Sequence, residues 1–404
     1  VWGQVALADH PVFHPALVVF VAAVAAPLLT ELRAGRRIPV VVLEVVLGII
    51  IGPHVLGLVQ LEGFVATMLR IGTAAVLFMA GMEIDFEKIR GRPLSLALRG
   101  WLISGGVAFL AVLVLHSIRG VEAPWMVTIA LTTTGLAALG PILRDGGQLG
   151  TYFGRLVLAA GTVGEIGPIV ATSLMLSDRY STWQEFAFLL AFLALVALAA
   201  AVGMGARPPK VLAMLSRTMH ASTQLPVRLA LLLLTALFVL AEEFGFEGIL
   251  GAFAAGMVVG LATRGKDGEP FRVKIDAVCF GWLTPFFFVG TGVAFDLAAL
   301  SRDATTMLLT PALLILFLVA RGVPTLLYRT DLPRSERPAF TLLTSVSSLG
   351  LVVVLVEIGL RAKNMNPDVA SALIAAALLS SLVYPTLAGV LLSRTPAPVR
   401  PGSG

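Results

Sequence analysis

The 404-residue sequence predicts an all-α polytopic membrane protein of about thirteen transmembrane helices, built as inverted repeats with two interrupted helices. Three observations predict this class. Apolar residues make up 57% of the chain and charged residues only 13%, against about 25% in soluble proteins. Apolar segments near the roughly 20 residues that a bilayer crossing needs follow one another with short connections. Basic residues concentrate in alternate connections. This balance excludes a soluble enzyme, a disordered regulator and a nucleic-acid binder. The formal charge of +5 orients the chain in a membrane and does not imply a nucleic-acid partner. A single Cys279 excludes an internal disulfide and a multi-Cys metal site. Both ends, Val1 and Gly402-Ser403-Gly404, are read as trimmed or engineered and set aside.

The predicted spans run 13–30, 38–58, 65–83, 94–116, 124–143, 154–176 and 183–205, then 225–242, 246–263, 275–295, 304–327, 338–359 and 368–392. They are apolar all round and rich in Gly and Ala, which lets helix backbones approach closely in lipid. No connection is long enough for a soluble domain, and neither is the segment after Arg394. Connections after odd-numbered spans carry 22 of the 29 Lys and Arg, and the other connections carry five. The positive-inside rule then puts the N-terminus outside and the C-terminus in the cytoplasm. A missed or invented span would have scrambled this alternation, so the charge bias supports the count.

Spans 4–6 start from the cytoplasmic side and spans 11–13 from outside, so any likeness between the trios is inverted. The middle span of each trio carries the same kind of interruption. Span 5 has Thr132-Thr133-Thr134-Gly135 followed by Gly140-Pro141, and span 12 has Thr344-Ser345-Val346-Ser347-Ser348-Leu349-Gly350. Hydroxyls and Gly at matching places in two halves point to a transport site. Gly loosens a helix, and Ser and Thr offer oxygens to a desolvated cation. Taken singly, either cluster reads equally well as helix packing. The inverted pairing favours Thr132, Thr133, Thr134, Ser345, Ser347 and Ser348 as site residues.

Ionisable side chains inside the membrane are expensive and therefore candidates for function. Glu165 lies mid-span in Gly161-Thr162-Val163-Gly164-Glu165-Ile166-Gly167-Pro168. A buried carboxylate there can hold either a proton or a cation. A purely structural Glu, paired with a base or with backbone groups, is the plainer reading. Arg321 in span 11 stays protonated, so it is a poor proton carrier. It reads as a counter-charge tuning Glu165, as a fixed charge holding unwound helices together, or as a snorkelling side chain. Glu44 and Arg70 are weaker candidates and could pair with each other. Glu357, Glu83, Asp85, Glu242, Glu243 and Glu247 sit at span edges, where charge is ordinary, although the last three could raise local cation concentration. The five His residues give a metal site little support, and no nucleophile–base pair appears at depth. Neither a cofactor nor an enzyme activity is expected.

These residues resemble the monovalent cation:proton antiporters of the Kef-type and NapA-type group. Val42 to Gly57, with its Leu47-Gly48-Ile49-Ile50-Ile51-Gly52-Pro53, is similar to the family's second helix. Leu77-Phe78-Met79-Ala80-Gly81-Met82-Glu83-Ile84-Asp85 is similar to the end of its third. Gly248 to Gly256 and Pro285 to Gly292 resemble further family segments, and all four occur in the family's order. The resemblance implies the NapA/NhaA-like fold, with spans 5 and 12 as broken helices crossing at the centre. It implies a core domain at 93–177 and 304–393 and a dimerisation domain at 1–92 and 223–303. A linker helix follows at 178–222 and a tail at 394–404. By position, Glu165 matches the family's transport carboxylate and Arg321 its basic residue before the second broken helix. The implied activity is exchange of Na⁺ or K⁺ for H⁺ by a homodimer among membrane lipids, in a cell inner membrane. Other readings on the same fold are a cation channel or uniporter, an organic- or anionic-solute transporter with Arg321 as its anion-binding charge, and a non-transporting sensor.

The family usually has Asp at the carboxylate, preceded by Asp, Asn or Gln. Here the pair is Gly164-Glu165, so one proton against one cation is the simplest expectation. The family's acidic Gly-Glu pattern near span 12 is missing, and these residues include no nucleotide-binding regulatory domain of the kind many Kef-type members carry.

Overall fold

The computed structural model describes residues 13–32, 40–84, 89–119, 124–136, 139, 142–143, 147–175, 182–205, 218, 221–264, 268–295 and 304–393. The described residues form helices joined by short turns. In chain order the helices are α1 (Phe13–Leu32), α2 (Val40–Ile51), α3 (Gly63–Glu83), α4 (Arg92–Arg119), α5 (Pro124–Leu131), α6 (Tyr152–Met175) and α7 (Thr182–Gly205). There follow α8 (Leu225–Glu243), α9 (Gly248–Ala262), α10 (Glu269–Ala294, with a π-helical turn at Cys279–Leu283) and α11 (Ala304–Gly322). The chain closes with α12 (Arg337–Thr344), α13 (Leu349–Arg361) and α14 (Pro367–Ser393). Among the described residues eight helices are long and apolar enough to cross a membrane, or nine when α12 and α13 count as one bent span. Every predicted span overlaps a helix, but α2, α5, α9 and part of α7 fall short of that length or are interrupted, so length and apolarity alone do not establish thirteen crossings.

Small residues set how the helices meet. A Cβ on Gly48 of α2 would lie 2.1 Å from the Val289 carbonyl oxygen of α10, and one on Gly292 would lie 2.1 Å from that of Val45. A Cβ on Gly81 of α3 would lie 2.2 Å from the Phe253 oxygen of α9, and one on Gly256 would lie 1.9 Å from that of Phe78. Backbone touches backbone at these crossings, which is the dense packing available to helices in lipid. Through such contacts α2 and α3 hold α10, while α9 is seated between α3 and α8. A second group packs α4 against α5, α6 and α11, and packs α11, α12 and α13 against α14.

Polar contacts brace one end of the second group. Arg92, at the start of α4, donates from Nε and Nη2 to the two carboxylate oxygens of Asp331, at 2.6 and 2.8 Å. Tyr152, opening α6, donates its hydroxyl to the same carboxylate at 2.9 Å. Arg337 of α12 donates to the backbone oxygens of Arg329 and Leu332. A bidentate guanidinium and a phenol are strong donors to an anion. Led by the Arg92 hydrogen bond, they hold the Asp331 carboxyl down from its ordinary 3.8 to about 2. Span 11 does not end as a regular α-helix. Pro324 has no N–H to continue the ladder, and residues Val323–Tyr328 tighten into a 3₁₀ turn.

Both predicted interruptions are present, and their cause is local. Thr132 and Thr133 donate their hydroxyls to the carbonyls of Ile129 and Ala130, at 2.7 and 2.8 Å. Ser345 donates to Thr341 at 2.7 Å, and Thr344 donates to Phe340 at 2.9 Å. Side-chain hydroxyls thus occupy carbonyls at the ends of α5 and α12, where they compete with the backbone ladder. Helical backbone resumes at Leu136 in the first case and at Leu349 in the second, with a bend of 41° between α12 and α13.

Candidate functional site

The two interruptions meet. The Gly135 N–H donates to the Val346 carbonyl at 2.9 Å, and the Thr134 hydroxyl donates to the Thr344 carbonyl at 2.8 Å. Gly135 is required at this crossing because a Cβ there would lie 2.7 Å from the Ser347 oxygen. The third partner is α6, whose Gly164 carbonyl accepts from the Thr134 N–H at 2.9 Å. A buried N–H freed by a break needs an acceptor, and at these positions protein groups supply it.

Glu165, one residue on, is only 4% exposed. Its carboxylate accepts two hydrogen bonds, one on each oxygen. The Ser348 hydroxyl donates to Oε1 at 2.8 Å, and the Leu136 N–H donates to Oε2 at 3.2 Å. Ser348 stands at the N-cap position of α13, where Ser normally bonds a backbone N–H of its own helix. It makes no such cap bond, and its hydroxyl goes to Glu165 instead. Both donors are neutral.

Arg321 is also buried, at 5% exposure. Its Nε donates to the Thr344 carbonyl at 3.2 Å, Nη2 to the Ala160 carbonyl at 3.2 Å, and Nη1 to the Ser104 hydroxyl at 3.4 Å. Among the described residues no carboxylate forms a salt bridge with it. Its partners are neutral groups instead. The guanidinium sits on the carbonyl that ends α12, where the helix dipole is negative, and ties that end to α4 and α6. Gly164 makes room for it, because a Cβ there would lie 2.9 Å from Nη2 and 2.6 Å from the Thr134 hydroxyl. The absence of a side chain before Glu165 is thus a packing requirement of Arg321 and Thr134.

Of the residues singled out from sequence, Ser348 touches Glu165 directly. Thr134 adjoins it through Gly164 and the crossing. Thr132, Thr133 and Ser345 are buried nearby, with their hydroxyls turned back on their own helices. Ser347 is bound to α14 rather than to the carboxylate, through Ala377 and Ser380. Glu44 is buried in α2, Arg70 is exposed on α3, and the two form no ion pair. Glu357 pairs with Arg361. Glu83, Glu242 and Glu243 are exposed and Glu247 is half-buried, while Asp85 lies outside the described residues. Sequence reasoning passed over the Leu136 N–H, Ser104, and Ser380. The last two carried the signal used elsewhere, a hydroxyl inside an apolar span, and the first is a backbone group with no sequence signal.

The sodium/hydrogen exchanger transmembrane family model matches residues 17–394, so this chain belongs to that family. YjbQ of Bacillus subtilis, named for Na⁺/H⁺ antiport, is 27% identical over 401 residues, covering 95% of this chain and 63% of YjbQ. The Na⁺/H⁺-K⁺ antiporter GerN of Bacillus cereus is 26% identical over 275 residues, 66% of this chain and 68% of GerN. The glutathione-regulated potassium-efflux protein KefC of Escherichia coli is 26% identical over 402 residues, 95% of this chain and 61% of KefC. The chain thus spans under two thirds of the length of YjbQ and KefC. In fold it is similar to the sodium proton antiporter MjNhaP1 of Methanocaldococcus jannaschii, with a TM-score of 0.62 at 15% identity, over 95% of this chain and 98% of that one.

Proposed function

We propose that this chain is the membrane unit of a secondary antiporter that exchanges Na⁺ or K⁺ for H⁺ across a cell inner membrane. The observation that carries this reading is a buried carboxylate at the crossing of the two breaks with neutral donors only. Glu165 accepts from a hydroxyl and a backbone N–H, and no fixed cation pairs with it. A buried anion is costly until something neutralises it. One proton or one monovalent cation does so, and the two exclude each other. That competition is the coupling, and it yields one proton per cation. The family membership and the antiporter names of the relatives support the same reading.

Residues 93–177 and 304–393 form the moving core, and 1–92 and 223–303 form the dimerisation domain that it moves against, joined by 178–222. The backbone-to-backbone glycine packing of α2 and α3 with α9 and α10 supports a rigid partner for the core. Thr132, Thr133, Thr134, Ser345 and Ser347 line the two breaks beside Glu165, and some of their hydroxyl lone pairs or freed carbonyls complete the cation's oxygen shell. Arg321 holds the crossing and sets the positive potential beside the carboxylate. The chain works as a homodimer with its N-terminus outside and its C-terminus in the cytoplasm.

The test uses purified protein in liposomes under an imposed pH gradient, with Na⁺, K⁺ or Li⁺ added in turn and luminal pH followed. Glu165→Gln, nearly isosteric and unable to alternate charge, is expected to fold normally and to lose cation-driven proton movement. Ordinary exchange by folded Glu165→Gln protein would defeat the assignment.

A further inference from the structure

Ser380 lies in α14, fully buried, and the exchange chemistry does not require it. Its surroundings are specific. The Ser347 N–H donates to Ser380 Oγ at 3.1 Å, and Ser380 Oγ lies 2.8 Å from Ser347 Oγ. Ser347 Oγ reaches the Ala377 carbonyl at 3.2 Å. Ser380 Oγ also lies 2.8 Å from the Ala377 carbonyl of its own helix, so its one proton serves either that carbonyl or Ser347 Oγ. Under either assignment Ser380 Oγ accepts the Ser347 N–H and ties the break to α14. Ser381 adds a longer contact to the Ser347 carbonyl at 3.5 Å.

Ser347 belongs to the second break, where its N–H has no ladder partner. The next residue, Ser348, donates the hydroxyl that reaches Glu165. The same pattern occurs at the first break, where the Glu165 carboxylate of α6 accepts from the Leu136 N–H. Each broken helix thus has one freed N–H held by a buried side chain of the following long helix. In the first half that side chain is the carboxylate. In the second half it is a neutral hydroxyl.

We propose that Ser380 is a positioning residue for the ion site: by fixing Ser347 it sets the Ser348 hydroxyl on Glu165 and so sets cation affinity. This rests on the reading of Glu165 as the exchanging carboxylate. A side chain without a hydroxyl at 380 removes the buried acceptor of the Ser347 N–H, and the 345–348 segment must then find another path. The carboxylate and the crossing bonds of Thr134 and Gly135 stay chemically intact. The effect therefore falls on binding before it falls on maximal rate.

The experiment titrates Na⁺ and K⁺ against proton movement in liposomes for wild type, Ser380→Ala, Ser380→Thr, Ser348→Ala and the Ser380→Ala/Ser348→Ala double variant. Ser380→Ala is expected to raise the half-saturating cation concentration about fivefold, as loss of one hydrogen bond predicts, with maximal rate within about twofold. Ser380→Thr, which keeps the hydroxyl, is expected to restore affinity. In the Ser348→Ala background Ser380→Ala should add nothing, because the residue acts through Ser348. Should Ser380→Ala not purify as folded protein, Ser380→Cys, similar in size and a weak hydrogen-bonding group, is read in the same way. Unchanged affinity, a fall in maximal rate alone, or a full further loss in the Ser348→Ala background would each overturn the proposal. Exchange surviving in Glu165→Gln defeats the parent reading instead, whatever Ser380 does.

Discussion

Gly164→Ala adds one methyl group at the most crowded point of the site. The new Cβ would lie 2.6 Å from the Thr134 hydroxyl, 2.7 Å from Thr134 Cβ and 2.9 Å from Arg321 Nη2, all well inside the 3.4–4 Å of ordinary contact. Neither neighbour is a free end. Thr134 is tied through its N–H to Gly164 and through its hydroxyl to Thr344, and the Arg321 nitrogen is tied to Ala160. Overpacking of one methyl costs about 1–3 kcal/mol, and a hydrogen bond broken to relieve it costs about 1 kcal/mol more. The total is about 2–4 kcal/mol. At 1.4 kcal/mol per tenfold, exchange should fall roughly 30- to 700-fold if the strain is concentrated in the working geometry. If it spreads through the fold, the melting temperature in detergent falls instead. Both are read together, by luminal pH in liposomes and by tryptophan fluorescence on heating. Gly106→Ala is the control, since nothing lies within 4 Å of a Cβ there. Gly164→Ala protein with wild-type exchange and wild-type melting would refute the claim that Gly164 exists to admit Thr134 and Arg321.

Two further outcomes follow from the scaffold. Gly256→Leu places a Cβ 1.9 Å from the Phe78 carbonyl oxygen, which is backbone and cannot swing aside, so α3 and α9 should separate. Size-exclusion chromatography should show loss of the monodisperse peak, and a normal peak would contradict the packing. Asp331 binds its proton less tightly when folded, so its contribution to stability is complete above pH 3.8 and is lost as pH falls through about 2. Asp331→Asn should therefore melt earlier than wild type at neutral pH, with the gap closing between about pH 4 and pH 2. A gap that stays constant down to pH 2 would remove Asp331 from the account.

The fold class was legible because composition and charge alternation act on the whole chain, and no local detail can reverse them. The two breaks were legible for a more particular reason. Thr132, Thr133 and Ser345 carry in their side chains the hydrogen-bonding groups that end their own helices. Glu165 stood out because a carboxylate at that depth has few ordinary explanations. What did not show in the sequence was connection across distance. Arg321 was read either as a counter-charge to Glu165 or as a fixed charge at the unwound helices, and nothing in the sequence chose between them. In the structure Arg321 binds the terminal carbonyl of α12, a group left free because the helix stops there. Ser347 and Ser348 look alike as neighbours in a hydroxyl cluster, yet one turns to α14 and the other to Glu165. The 41° bend between α12 and α13 accompanies that divergence, and no periodicity encodes it.

The two donors to Glu165 come from opposite sides of it in the chain, and Ser348 is made 183 residues after the carboxylate. During synthesis, then, α6 enters the membrane with a carboxylate that has half its partners. The Thr344 carbonyl, which gathers Thr134 and Arg321, does not yet exist, and Ser380 comes later still. On the proposed mechanism, a chain that ends before α12 has half of the contacts that hold the carboxylate, and its cation site stays incomplete until α13 and α14 are in place.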